Sequence, residues 1–162
     1  FLTPVQHWSN RVLGDKHRSL WGGWAVFAPD FHWYFSGDTG YGPHFKEIAR
    51  RSGGFDLVAL DMGAYDARWP LIHMTPEEAA QAAVELQARS LLPGHVDRFS
   101  IARHSWDEPF ERIATGSGGK PYRLLTPRIG EPVMLDHGGQ RFSRWWRGAA
   151  RVAHRQGMAV SR

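Results

Sequence analysis

At 162 residues with 42% hydrophobic side chains, the chain suits one domain with a real core, and low-complexity and collagen-like classes are excluded. No run approaches the roughly 18 consecutive apolar residues of a membrane span, and with no cysteine any zinc must be held by His and carboxylate. The net charge of +4 is an average: residues 1–140 carry 14 basic and 16 acidic side chains, while 141–162 carry six arginines and no acid, so the body calls for no specific nucleic-acid partner.

The opening Phe1-Leu2-Thr3-Pro4 is neither a signal peptide nor an initiator methionine, so the true start is expected upstream. After an irregular start, Trp24 to Ala28 and Trp33 to Phe35 read as two strands of a hairpin turning at Pro29-Asp30. Pro43 opens a helix through Arg51 that Gly53-Gly54 ends. A strand at Asp56 to Leu60 follows. Thr75-Pro76-Glu77-Glu78 is a capping-box helix start, and that helix is predicted to reach Arg89. Leu91-Leu92-Pro93 is a short apolar run ending in Gly94-His95, and a further helix spans Asp107 to Thr115. Strands at Tyr122 to Leu125 and Pro132 to Leu135 are predicted to finish the sheet. Phe142 to Gln156 reads as an Arg-rich amphipathic helix or a disordered tail, whose Trp145, Trp146 and arginines would suit an anionic lipid surface. The pattern predicts an α/β domain over 1–136 and a basic tail over 137–162.

His7, Asp38 and His95 all fall in loops beside sheet segments, where function concentrates. Gly37 and Gly40 flank Asp38 closely enough to let its carboxylate approach a cation without obstruction. Catalytic zinc takes His nitrogen and carboxylate oxygen and keeps a position open for water. Singly, each residue has a plainer reading as a loop histidine or a turn. The aromatics Trp21, Trp24, Trp33, Trp69, Phe27, Phe31 and Phe35 are expected to pack in the core rather than line an acyl groove. Glu77, Glu78 and Glu85 are expected to be solvated.

Thr3-Pro4-Val5-Gln6-His7-Trp8-Ser9, Leu20-Trp21-Gly22-Gly23-Trp24, Gly37-Asp38-Thr39-Gly40-Tyr41-Gly42-Pro43-His44-Phe45 and His73-Met74-Thr75-Pro76-Glu77-Glu78-Ala79 follow in order. Together they resemble the metallo-β-lactamase-fold hydrolases, within them the branch containing the N-acylphosphatidylethanolamine-hydrolysing phospholipase D. The resemblance runs from residue 1 to about 136, and Ala102 to Pro109 is similar to a run in bacterial members. It implies the C-terminal half of an αββα sandwich. His7 would be a ligand of one Zn2+, Asp38 the carboxylate shared by two, and His95 a ligand of the second. His73 corresponds to a histidine near the substrate head group, where it would donate a hydrogen bond to an oxygen gaining charge; without the resemblance it reads as a helix-flanking surface histidine. His104 is a weaker substrate-binding candidate that Trp106 and Asp107 could simply hold in place.

The sequence departs from the family around His95, where Val96-Asp97-Arg98 replaces the usual small or aromatic residues; Asp97 is expected to pair with Arg98. It also lacks the His-x-His-x-Asp-His cluster, so the two-zinc site is expected to be incomplete and zinc binding by these residues alone weak. The implied activity is zinc-dependent hydrolysis of phosphodiester or related ester bonds in a lipid-like substrate by an intact parent, in the cytoplasm or on a membrane surface. Alternatives are a metallo-hydrolase of lactones or nucleic-acid phosphodiesters, and an inactive split product. Partners would then be a complementing N-terminal half, a second copy or an anionic membrane.

Overall fold

The computed structural model describes residues 1–10, 13–97, 101–136 and 138–149. One mixed sheet runs in chain order: β1 (Leu2–Thr3), β2 (Gly23–Phe27), β3 (His32–Phe35), β4 (Leu57–Asp61), β5 (Ser90–Gly94) and β6 (Arg123–Leu124). The first two pairings are antiparallel and the last three parallel. The helices α1 (His44–Ser52), α2 (Pro76–Glu85) and α3 (Glu108–Gly116) connect the parallel strands, as parallel pairing requires of its crossovers. This is the α/β class expected from the alternation of strands and helices.

The hairpin is present, closed by the Ala28 N–H donating to the Phe31 carbonyl at 3.0 Å. The start is less irregular than expected, since Leu2–Thr3 pairs with Gly23–Trp24. Helix α2 begins with a complete capping box: Thr75 Oγ1 accepts from the Glu78 N–H, and the Glu78 carboxylate accepts from the Thr75 N–H. It ends at Glu85 rather than Arg89, because Gln87 turns left-handed at φ 53° and Ala88 bridges to Phe55. Pro132 to Leu135 form no strand. There the Gln140 side chain takes the backbone bonds, accepting from the Met134 N–H and donating to the Pro132 carbonyl.

Every second residue of the strands faces the helices: Ala25, Tyr34, Val58, Leu60 and Leu91 are buried against Phe45, Ile48, Leu86 and Ile113. The alternate residues face away. Register aligns Leu2, Trp24, Phe35 and Ala59 in one row and Val26, Trp33 and Leu57 in the next. Trp24 (53%), Phe35 (43%) and Val26 (38%) remain open to solvent. The expectation that the strand aromatics form the core is therefore corrected: Tyr34 is core, whereas Trp24, Phe27 and Phe35 are exposed. Period two assigns faces but does not say which face is covered.

Two further expectations change. Glu85 is not solvated; it accepts from the Tyr41 hydroxyl at 2.6 Å and is nearly enclosed. Glu78 is spent on the cap, and Glu77 pairs with Arg112. In the basic segment, Trp146 is 1% exposed and stacks on Phe110 at 5.1 Å, with its indole N–H donating to Glu111. Trp145 packs on Phe110 and Trp106. These two indoles are occupied by α3 and are not free for a lipid surface, while residues 150–162 lie outside the described set. Among the described residues no helix is long and apolar enough to cross a membrane.

Candidate metal centre

The carboxyl ends of β3, β4 and β5 lie side by side, and each delivers a side chain to the same rim, where ligand crevices of parallel sheets form. Asp38 follows β3 by three residues, Asp61 is the last residue of β4, and His95 directly follows β5. His7 arrives from the other end of the chain through a bridge: Gln6 donates to Thr39 Oγ1 at 3.0 Å and Gly40 donates to the Gln6 carbonyl at 2.8 Å. His73 comes from the turn that precedes the Thr75 cap of α2. The approach is tight, since a Cβ on Gly40 would lie 2.2 Å from the Leu71 carbonyl oxygen.

The donor atoms of His7, Asp38 and His73 lie within 4.8 Å of one another, and so do those of Asp61, His73 and His95. The His73 ring stands between the other two histidines, 5.3 Å from His7 and 5.0 Å from His95 between centroids. His95 Nε2 and Asp38 Oδ2 are 3.8 Å apart, too far for a hydrogen bond and suited to two donors turned on a shared cation. His7 Nδ1 donates to the Trp8 carbonyl at 2.8 Å, which leaves Nε2 a lone pair; that nitrogen is buried and has no partner. A backbone bond on one nitrogen and an orphaned lone pair on the other is how a metal-binding histidine is held. The oxygen and nitrogen donors present therefore fit a divalent ion such as zinc.

Asp61 is the residue of these donor groups that sequence reading missed. Its Oδ2 receives His73 Nδ1 at 2.7 Å and the Thr39 N–H at 3.1 Å, while its own N–H donates to Ser36 Oγ. Burial pushes its carboxyl up, with His73 and the Thr39 N–H pulling the other way. The available signal was a lone acid closing the buried run Val58-Ala59-Leu60. His73 is 9% exposed, so it is not a surface histidine flanking a helix. His104 stands in neither donor group: it stacks on Tyr65 at 4.2 Å, Nδ1 donates to the Ser105 carbonyl, and Nε2 is enclosed. The partner expected for Asp97, Arg98, lies outside the described residues; burial raises the Asp97 carboxyl.

Residues 1–96 match the model of the Beta-lactamase superfamily domain. The chain belongs to this family. A Mycobacterium tuberculosis protein of uncharacterized function is 38% identical over 147 residues, covering 89% of this chain. The N-acyl-phosphatidylethanolamine-hydrolyzing phospholipase D 1 of Caenorhabditis elegans is 40% identical over 95 residues, 57% of this chain and 27% of that protein. Among solved structures, a metallo hydrolase from the archaeon Ignicoccus hospitalis shares the fold with a TM-score of 0.58 at 22% identity, over 76% of this chain and 47% of that one. The chain spans 39% of the length of the mycobacterial relative.

Proposed function

We propose that these residues form one face of the active site of a zinc-dependent hydrolase that cleaves phosphodiester or related ester bonds in a lipid-like substrate. The observation that carries the reading is the convergence of His7, Asp38, His73 and His95 at the carboxyl ends of parallel strands. His7, Asp38 and His95 would hold the metal, with Asp38 shared between two ions in the complete site. Bound there, zinc supplies a water ionised near neutral pH and a Lewis acid for the phosphoryl oxygen.

The chain's own residues supply the rest. His73 stands where it meets the reacting water or the substrate oxygen. Beside it opens a cavity of about 530 Å³ lined by Trp8, Trp69, Ile72 and Ile101 together with Lys16 and His17. Apolar walls with two basic side chains suit an apolar body joined to an anionic group, which supports a lipid-like phosphodiester. The remaining metal donors would come from a His-x-His-x-Asp-His segment outside these 162 residues. The open sheet face bearing Trp24, Val26 and Phe35 supports a second layer in the working enzyme.

The test is hydrolysis of an N-acylphosphatidylethanolamine and of a chromogenic phosphodiester by the zinc-loaded chain, alone and mixed with a polypeptide carrying His-x-His-x-Asp-His. Turnover by the mixture, abolished by Asp38→Ala, is expected. Undiminished turnover of the Asp38→Ala mixture with its metal still bound would overturn the reading.

A further inference from the structure

We infer that Asp61 is the positioning residue for His73, fixing its ring with a proton on Nδ1 so that Nε2 is the nitrogen left to the site shared with His7 and Asp38. The side chains of both partners are buried, 1% exposed for Asp61 and 9% for His73, and Nδ1 and Oδ2 meet at 2.7 Å. A carboxylate oxygen accepts and does not donate, so the shared proton sits on Nδ1 and Nε2 is the nitrogen left free of that bond. Asp61 is itself fixed from two sides. The Thr39 N–H donates to the same Oδ2, and the Asp61 N–H is anchored on Ser36 Oγ at 3.0 Å, itself a buried residue.

Thr39 adjoins Asp38, so one backbone N–H ties the carboxylate that orients His73 to the loop that carries the candidate ligand. The ring is also confined by neighbours, edge to face with His7 and tilted against His95. With the Nδ1 proton committed to Asp61, Nε2 is the ring nitrogen left to meet a water or a substrate oxygen. The inference concerns the tautomer and stands whether or not the chain hydrolyses an ester.

Long-range proton–nitrogen correlation spectra of the 15N-histidine-labelled chain, without added metal, read the tautomer of each ring. His73 is expected to show a protonated Nδ1. Asp61→Ala is expected to move His73 to the Nε2-protonated form or to an exchange average while His32 and His44 keep their signals; Asp61→Glu should restore the original form in part. A His73 ring with Nδ1 unprotonated in the unaltered protein would overturn the inference, and that spectrum decides even where Asp61→Ala does not fold. An unchanged tautomer in folded Asp61→Ala would do the same.

Discussion

Gly63 and His95 meet backbone to backbone: a Cβ built on Gly63 would lie 2.1 Å from the His95 carbonyl oxygen and 2.6 Å from the Val96 Cα. The loop after β5, where His95 sits at φ 52°, therefore runs directly over the loop after β4. Only a residue without a side chain allows the two loops to cross at this height. Gly63→Ala must displace backbone, and a loss of about 1–3 kcal/mol is expected by analogy with overpacked interiors. Urea unfolding measures it, and the His95 ring signals should shift while those of His32 do not. Unchanged stability with an unchanged His95 would show that the loops do not cross so closely.

Trp146 belongs to the core although it lies in the most basic stretch of the chain. It is sealed against Phe110, and its indole N–H reaches Glu111 at 2.6 Å. Trp146→Ala should cost about 3–5 kcal/mol, the range for removing a buried aromatic. If the segment were a solvated lipid-binding arm, the same change would leave the denaturation midpoint where it was.

The Glu111 carboxyl is drawn down to about 2 from 4.5, chiefly by the hydrogen-bonded Arg147 guanidinium, with burial opposing and the Trp146 N–H and Arg144 assisting. A carboxyl that ionises more readily folded than unfolded stabilises the protein above its unfolded value. That contribution is lost as pH falls from about 4.5 towards about 2. Both partners are substantially exposed, so the effect is modest and salt-sensitive. Melting temperatures followed through this window should fall more steeply for the unaltered protein than for Arg147→Leu. Parallel curves would remove the pair from the account of acid stability.

The sequence revealed the elements better than their surroundings. The Thr75 cap, the Pro43 and Gly53 boundaries of α1 and the strands leading to Asp38 and His95 were legible because each rests on local chemistry: a hydroxyl three residues before a glutamate, a fixed φ, an alternating pleat. Which face of the sheet is covered was not legible, so Trp24 and Phe35 looked like core residues. Trp146 looked like half of an amphipathic surface because its partner, Phe110, is 36 residues away. Asp61 was invisible for a related reason. A single carboxylate at the end of an apolar strand is informative only once His73, twelve residues on, is seen to fold back onto it.

In the proposed function His7, Asp38, His73 and His95 line a single metal centre. Titrating Mn2+ into the 15N-histidine-labelled chain tests this most directly, because paramagnetic broadening reports proximity even where binding is weak. The ring signals of His7, His73 and His95 should broaden first and together, and Asp38→Ala should demand more metal for the same effect. Broadening spread evenly over His17, His32, His44 and His104, or indifferent to Asp38→Ala, would contradict a shared site.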